Sequence, residues 1–276
     1  MCAGLPETVC VRGLIFLINH KLIEGLILGL IQGLTEFLPI SSSGHLVIAQ
    51  RIFGISQPEL FFDTSLHVAT MVATLIFFRK DIIEIARSIP RRDSKGRRYI
   101  GYILLSLVPT GLIGLMVEQK FSHVYASLTF VRVALLITAV ILIVPHYFWF
   151  GENGGVSFPR AFLVGVVQGI AVLPGLSRSG TTIMAAVISG VNYQEAFRFS
   201  FLISIPAISG ATLLQVSRGA VHSTYTISAL FAGCGAAFLS GYFSLFLLKE
   251  MVKKNRLHIF GYYLVALVLL SLVVIR

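Results

Sequence analysis

Charged residues are scarce in this chain. Only 12% of its 276 residues are Asp, Glu, Lys or Arg, whereas 56% are hydrophobic. A soluble domain of this size would normally carry about twice that charged share, so a soluble globular fold is excluded. Repeated apolar windows of about 20 residues are typical of spanning helices, whereas barrel strands give shorter alternating segments. The predicted fold class is an all-α polytopic membrane protein.

Cysteine is also scarce. The three cysteines, Cys2, Cys10 and Cys234, have neither metal-type spacing nor the pattern of a disulfide framework. No group of histidines and cysteines has zinc-ligand spacing either. The sequence therefore predicts no structural zinc site and no disulfide-stabilised fold.

Acidic residues are too few to balance the basic ones, and the formal net charge is +10. Eight of the 22 basic residues lie between Arg79 and Arg98, and four more lie between Lys249 and Arg256. Both clusters separate apolar segments, which is typical of cytoplasmic loops in membrane proteins. The charge therefore predicts membrane orientation, and no nucleic-acid partner is expected.

Two long apolar stretches, residues 22–51 and 160–191, are interrupted midway. Pro39 and a serine run break the first, and Pro174-Gly175 with a second serine cluster breaks the second. Such clusters end helices, so each stretch is predicted to form a re-entrant hairpin of two half-helices. Six other segments are predicted to span the membrane: residues 61–78, 99–117, 126–148, 198–216, 225–248 and 258–275.

Residues 1–21 precede the first hairpin. They contain a short apolar piece, residues 11–19, without an obvious small-residue cleavage site. We therefore expect an uncleaved N-terminal extension.

A gap-free internal repeat relates the two halves of the chain. It predicts one membrane domain, residues 1–276, made of a first repeat, residues 22–148, and a second, residues 160–276. A shift of 136 residues places Gly29 on Gly165, Gln32 on Gln168, Gly33 on Gly169, Ser41 on Ser177, Ser43 on Ser179, Gly44 on Gly180, Glu59 on Glu195 and Phe61 on Phe197.

The basic loops set the orientation of the repeats. If residues 79–98 are cytoplasmic, counting spans places the first hairpin on the outer face and the second on the cytoplasmic face. Residues 249–257 then also fall inside, consistent with their charge. The repeats are thus predicted to be inverted and to meet at the bilayer midplane.

Glu36 is a carboxylate one turn before the first break. A carboxylate at membrane depth costs roughly 2.5 to 3.5 kcal/mol on insertion scales, so it is usually retained for a partner, an ion or a proton. Gln32 lies four residues earlier on the same helix face. Gly25, Gly29 and Gly33 form a small-residue stripe that favours close helix packing.

Serine clusters follow both breaks. Serine is a favoured helix N-cap, but capping explains only one serine of each cluster. A helix start with free N–H groups is a natural anion site, and here it occurs twice, at residues 41–45 and 177–182. Arg178, whose guanidinium fork suits phosphate, would complete a pocket where the hairpin tips meet. A buried arginine needs an anion, and Glu36, a ligand, or each in turn can supply it.

The histidines divide into two groups. His45 directly follows the first serine cluster, where neighbouring polar groups favour a functional role over a structural one. His67 and Asp63, one turn apart at the start of a span, are additional candidates that the sequence leaves between the two roles. The remaining histidines are predicted to lie at membrane interfaces or in loops: His20, His123, His146, His222 and His258.

The motifs QGLTEFLPISSSGH, residues 32–45, and PGLSRSGTT, residues 174–182, closely resemble the two signatures of the bacterial undecaprenyl-diphosphate phosphatases, the bacitracin-resistance protein family. The resemblance covers nearly the whole chain from about Leu22. It implies six spans with two inverted hairpins, and removal of the terminal phosphate from undecaprenyl diphosphate to regenerate the lipid carrier for peptidoglycan synthesis. It also implies bacitracin resistance.

The resemblance assigns roles by position. It implies that Glu36 holds a divalent cation, Mg²⁺ or Ca²⁺, that Ser42 and His45 take part in catalysis, and that Arg178 binds the diphosphate. The predicted substrate-binding residues are Gln32, Ser41, Ser43, Ser177, Arg178, Ser179 and Thr182, and the predicted catalytic residues are Glu36, Ser42, His45 and Arg178.

One position departs from the family pattern, since many members have a glutamate where this chain has Gln32. An amide can coordinate or hydrogen-bond but cannot serve as a base, so a mechanism with two carboxylates is in doubt. We expect Ser42 or a water to attack the terminal phosphorus with His45 as proton acceptor; the sequence leaves serine, histidine and water open as nucleophile.

A rival prediction is a polyprenyl-phosphate transporter or flippase, because inverted repeats with broken helices are common in transporters. A third hypothesis is a membrane protein with a purely structural role. The predicted location is the bacterial inner membrane, with the site facing the periplasmic or outer side. The expected partners are a polyprenyl diphosphate and membrane lipid, and the sequence leaves a homodimer open.

Overall fold

The fold is described by a computed structural model that covers residues 7–55, 59–91, 93–121, 127–148, 154–219 and 223–274, without the side chains of residues 7–19. Helices account for nearly all of these residues, and the described part of the chain contains no strand beyond one isolated bridge between Gly154 and Val191. The all-helical class predicted from composition is confirmed. Two of the histidines discussed above, His123 and His222, lie outside the described residues.

Eleven α-helices follow one another through the described residues. Their bounds are α1 Glu7–Phe37, α2 Ser42–Ile52, α3 Leu60–Phe77, α4 Arg79–Ser88, α5 Ser94–Phe121, α6 Leu128–Ile143, α7 Phe158–Ile170, α8 Arg178–Ile188, α9 Tyr193–Ser217, α10 Ile227–Lys253 and α11 His258–Val274, with a short 3₁₀ helix, Val144–Tyr147, after α6.

Five helices within the described residues are long and apolar enough to cross a membrane: α3, α5, α6 with its 3₁₀ extension, α9 and α10. They correspond to five of the six predicted spans. The sixth prediction, residues 258–275, coincides with α11, which is apolar but has 17 residues. The protein is thus a multi-pass helical membrane protein, as its scarcity of charge predicts.

Two boundaries differ from the sequence expectations. The basic segment 79–98 is predicted as a loop, but residues 79–88 form α4 and residue 94 already begins α5. Its apolar residues recur at helical spacing among the charges, which lets a short amphipathic helix form. The N-terminal extension is also not separate, because α1 begins at Glu7 and continues without a break at residue 21 into the first hairpin.

Both predicted breaks are present, and they have the same layout. The chain leaves α1 after Phe37 and re-enters a helix at Ser42, and it leaves α7 after Ile170 and re-enters at Arg178. Helix α8 begins and ends 136 residues after α2, in register with the sequence repeat. Each second half-helix has a serine N-cap, Ser41 or Ser177, as the serine clusters predict.

The predicted glycine stripe on α1 packs directly against α10. A Cβ at Gly29 would lie 2.1 Å from the carbonyl oxygen of Gly233, and one at Gly25 would lie 2.8 Å from that of Ala229. The second half repeats this contact between α7 and α5, where a Cβ at Gly165 would lie 2.2 Å from the Ser106 carbonyl oxygen. Close backbone approach therefore fixes the first arm of each hairpin against a long helix from the other half of the chain.

Candidate active site at the hairpin tips

Three side chains from the two hairpin tips meet at one carboxylate. Glu36 lies in the last turn of α1, Ser42 begins α2 and Arg178 begins α8. Arg178 Nη2 donates to Glu36 Oε1, and Ser42 Oγ donates to Glu36 Oε2 at 2.6 Å. The structure thus brings together three residues that the sequence predicts for one site.

Glu36 and Ser42 are buried, whereas the Arg178 side chain keeps 17% of its surface exposed. In a low-dielectric setting, removing one partner of such an ion pair typically costs about 3 to 5 kcal/mol, because the other charge is left uncompensated. The Glu36 to Arg178 contact therefore holds the two hairpins together, and it leaves the guanidinium partly accessible to a second anion.

Two further polar side chains lie close to Glu36 Oε2. Gln32 Nε2 donates to Oε2 at 3.1 Å, and His67 Nδ1 lies 3.4 Å from the same oxygen. His67 and Gln32 also contact each other, with 2.9 Å between Nδ1 and Nε2. Arg178, Ser42 and Gln32 thus donate to the carboxylate, which suits a group that must present a constant geometry.

Hydroxyls of the first tip are engaged in the turn itself. Ser41 Oγ accepts a hydrogen bond from the Gly44 N–H at 3.2 Å and lies 3.2 Å from Ser43 Oγ. Ser43 Oγ in turn accepts from the Gly175 N–H of the second tip at 3.4 Å. Ser41 and Ser43, predicted as substrate contacts, thus shape the turn and join it to the opposite tip.

Hydroxyls of the second tip play a matching part. Ser177 Oγ accepts from the Gly180 N–H at 3.2 Å, and Ser179 Oγ donates to the Leu38 carbonyl of the first tip at 3.3 Å. Thr182 Oγ1 donates to the Arg178 carbonyl at 2.6 Å and lies 2.5 Å from Ser200 Oγ. The predicted phosphate contacts of this tip stabilise the start of α8, from which Arg178 projects.

His45 is the one predicted catalytic residue that the structure does not bring to Glu36 or Ser42 by a hydrogen bond. Its Nδ1 lies 2.8 Å from the Ser41 carbonyl oxygen, and its Nε2 lies 2.9 Å from the Tyr263 hydroxyl. Since a carbonyl only accepts, Nδ1 carries the proton and Nε2 accepts from tyrosine. Its predicted role as proton acceptor stays a prediction, and Nε2 is the atom that would perform it.

His67 occupies the position beside the carboxylate instead. The sequence gives one signal for it, since Asp63 and His67 are one turn apart at the polar start of α3. That signal does not identify Glu36 as the partner. Asp63 itself accepts from Gln50 Nε2 at 3.3 Å, which ties α3 to the end of α2.

The loop before α10 is anchored at the start of α3. Ser223 Oγ and the Thr224 N–H donate to Glu59 Oε2 at 2.6 and 3.0 Å. Desolvation tends to raise the pKa of the Glu59 carboxyl, but the hydrogen bonds from Ser223 and Thr224 outweigh it and hold the pKa below its usual range. This contact positions the helix that carries His67.

The family described as bacitracin resistance protein BacA matches residues 25–270, which include both hairpin tips. This chain belongs to that family. It is similar to undecaprenyl-diphosphatases of Desulfosudis oleivorans, 43% identical over 258 residues (87% of this chain and 94% of the relative), Carboxydothermus hydrogenoformans, 40% over 252 residues (87% and 92%), and Korarchaeum cryptofilum, 37% over 264 residues (91% and 99%).

The BacA-family site has oxygen donors that fit a hard divalent cation. Gln32 Oε1 is fully buried and has no hydrogen-bond partner among the described residues, and the Glu36 carboxylate is one helical turn away. Mg²⁺ commonly uses one or two carboxylates and completes its shell with substrate phosphates. The described residues contain no group of three or more histidine, cysteine or acidic side chains around a common point. The donor set therefore fits a cation bound together with substrate.

Proposed function

We propose that this protein is an undecaprenyl-diphosphate phosphatase, which hydrolyses undecaprenyl diphosphate to undecaprenyl phosphate and inorganic phosphate. The observation that carries the proposal is the meeting of Arg178, Ser42 and Glu36 at the two hairpin tips. The similar proteins from Desulfosudis oleivorans and Carboxydothermus hydrogenoformans are undecaprenyl-diphosphatases, which agrees with it. This activity would recycle the lipid carrier for peptidoglycan synthesis and confer resistance to bacitracin.

The diphosphate would bind where the two helix starts converge. Arg178 has a planar fork of donors that suits phosphate oxygens, and its partial exposure lets an incoming anion compete with Glu36. The N-termini of α2 and α8 add partial positive charge on either side. The terminal phosphate would thus lie beside Ser42, with its charge balanced by the second tip.

Ser42 is our proposed nucleophile. Its Oγ would attack the terminal phosphorus, the bond from that phosphorus to the bridging oxygen would break, and undecaprenyl phosphate would leave with the bridging oxygen. Glu36 Oε2 accepts the Ser42 hydrogen bond at 2.6 Å and is placed to take the proton, whereas Nε2 of His45, the acceptor expected from the sequence, lies beside the Tyr263 hydroxyl. Water would then cleave the phosphoserine, release inorganic phosphate and restore the hydroxyl.

A divalent cation, Mg²⁺ or Ca²⁺, is part of the proposal. Glu36 and Gln32 Oε1 are the groups that would hold it, since both are oxygen donors of the kind these ions prefer. When bound, the cation would neutralise part of the negative charge of the diphosphate.

The proposed topology has six spans and two re-entrant hairpins in an inverted repeat of residues 22–148 and 160–276. Two features support it: α2 and α8 are separated by the repeat shift of 136 residues, and equivalent glycines pack in both halves. With the basic segments inside, the first hairpin opens outward. The site would then face the periplasmic or outer side of the bacterial inner membrane.

Phosphate release by the purified protein tests the proposal. In detergent, the wild type should release phosphate from undecaprenyl diphosphate in a reaction that needs a divalent cation, and Glu36→Gln and Arg178→Ala should abolish most of it. Release that survives both substitutions would contradict the site. Movement of polyprenyl phosphate across vesicles without any release would instead support the transporter or flippase reading.

A further inference from the structure

His67 lies where it can control the orientation of two other site residues. It projects from α3, whereas Gln32 and Glu36 project from α1, 35 residues earlier for Gln32. Its Nδ1 is 2.9 Å from Gln32 Nε2 and 3.4 Å from Glu36 Oε2. A single ring nitrogen therefore contacts both members of the α1 pair.

The two protons on Gln32 Nε2 determine which atoms donate and which accept in these hydrogen bonds. Gln32 Nε2 carries two protons, and one is donated to Glu36 Oε2 at 3.1 Å. The other points to His67 Nδ1, which accepts it when the ring proton is on Nε2. Gln32 is fully buried, so without this acceptor its second N–H would be left unsatisfied, which is unfavourable.

We propose that His67 is a positioning residue of the phosphatase: by accepting from Gln32 Nε2 it fixes the amide, and through the amide it fixes the Glu36 carboxylate against Ser42. The inference rests on the proposed hydrolysis and deepens it. His67 touches neither Ser42 nor Arg178 through a hydrogen bond, so it acts on the reaction only through Gln32 and Glu36. Its contribution is to keep Oε2 aimed at the Ser42 hydroxyl.

The orientation of Glu36 matters most when Ser42 attacks. Loss of such a supporting hydrogen bond should lower kcat by about 10- to 100-fold, the usual effect of removing a residue that orients a ligand or base. KM should change little, because diphosphate binding depends on Arg178 and the helix starts.

Replacing His67 by Asn or by Gln tests which of its two ring nitrogens is needed. His67→Asn would place an amide oxygen near the position of Nδ1, whereas His67→Gln would place one near Nε2. His67→Leu should show the full loss of kcat, His67→Asn should restore most of it, and His67→Gln should restore less.

His20→Leu is the matched control, because His20 Nδ1 also lies 3.3 Å from a buried carboxylate, Glu24, far along α1 from the site. Its kcat should stay within about twofold of the wild type.

A double-mutant cycle with Gln32→Leu tests whether His67 acts through the amide. If it does, adding His67→Leu to Gln32→Leu causes little further loss, whereas independent effects multiply. Multiplying effects, or kcat of His67→Leu within about twofold of wild type, would overturn the proposal.

If His67→Leu melts at a much lower temperature than the wild type, the comparison of the Asn and Gln variants decides. The proposal is overturned if His67→Gln restores kcat as well as or better than His67→Asn. A wild type that releases no phosphate contradicts the proposed hydrolysis instead.

Discussion

The two hairpin tips share a scaffold but differ in chemistry. In each tip the N-cap serine accepts from a glycine N–H three residues later at 3.2 Å, and the side chain four residues after the serine, His45 or Thr181, lies 2.8 Å from the serine carbonyl oxygen. The residue after the cap is Ser42 in the first tip and Arg178 in the second. The two helix starts are thus equivalent in layout, but one carries the proposed nucleophile, Ser42, and the other carries the cationic side chain of Arg178.

The first arms differ in the same way. Gln32 and Gln168 are equivalent and both are buried, but Gln32 donates to Glu36 whereas Gln168 donates to Thr110 Oγ1 at 3.3 Å. The position equivalent to Glu36 is Val172. One glutamine therefore supports a carboxylate, whereas the other ties α7 to α5.

Among substitutions that test the difference between the two tips, Ser42→Ala should have the largest effect on activity. It removes the proposed nucleophile and leaves both serine caps intact. We expect kcat to fall at least about 1,000-fold, since a missing nucleophile is among the most damaging single changes in hydrolases. Melting temperature should be nearly unchanged, and brief exposure of the wild type to labelled substrate should trap phosphoserine at Ser42. Full turnover by the alanine variant would eliminate the serine and favour a water nucleophile.

Arg178→Lys tests what the second tip contributes. Lysine keeps the charge but loses the planar fork, so it cannot bind a phosphate and the Glu36 carboxylate in the same two-pronged way. We expect kcat/KM to fall about 100-fold, equivalent to roughly 3 kcal/mol, with much of the loss in KM. Steady-state kinetics with undecaprenyl diphosphate measures it. A lysine variant with unchanged KM would show that charge alone is enough.

The features that could be predicted from sequence are those with a local cause. Pro39 and Pro174 with their serines predict both breaks, and the glycine stripe predicts the contact with α10. The predicted inverted repeat adds one long-range expectation, that the tips meet, and Arg178 does contact Glu36 across 142 residues.

Contacts between unrelated elements were not predictable in this way. His67 reaches Gln32 from another helix, and Tyr263 reaches His45 across 218 residues, because packing of α3 and α11 decides both. Helix α4 was missed for a different reason, since its many charges resemble a cytoplasmic loop. Periodicity identifies each helix face but does not say which faces meet.

Glycine substitutions in α1 and α7 test whether the two first arms depend on close backbone packing to the same extent. Gly29→Ala and Gly165→Ala should each lower the free energy of unfolding by about 1 to 3 kcal/mol, because the new methyl group would overlap a facing backbone carbonyl. Gly111→Ala in α5 is the control, since its Cβ would meet nothing within 4 Å. Thermal unfolding in detergent compares the three. Equal melting of all three variants would show that α1 and α7 are not held by close backbone approach.

The smallest expected difference concerns the backbone of the two cap serines. Ser41 has φ 68°, in the region that favours glycine, whereas Ser177 has an ordinary φ of −75°. Glycine is a tolerable N-cap, so Ser41→Gly would lose a few tenths of a kcal/mol from the cap but relieve about 1 kcal/mol of strain. Ser177→Gly would lose the cap without relief and add backbone entropy to the unfolded chain. We therefore expect Ser41→Gly to raise the melting temperature or leave it unchanged and Ser177→Gly to lower it. The reverse order would show that the Ser41 hydroxyl stabilises the first tip by more than the strained turn costs.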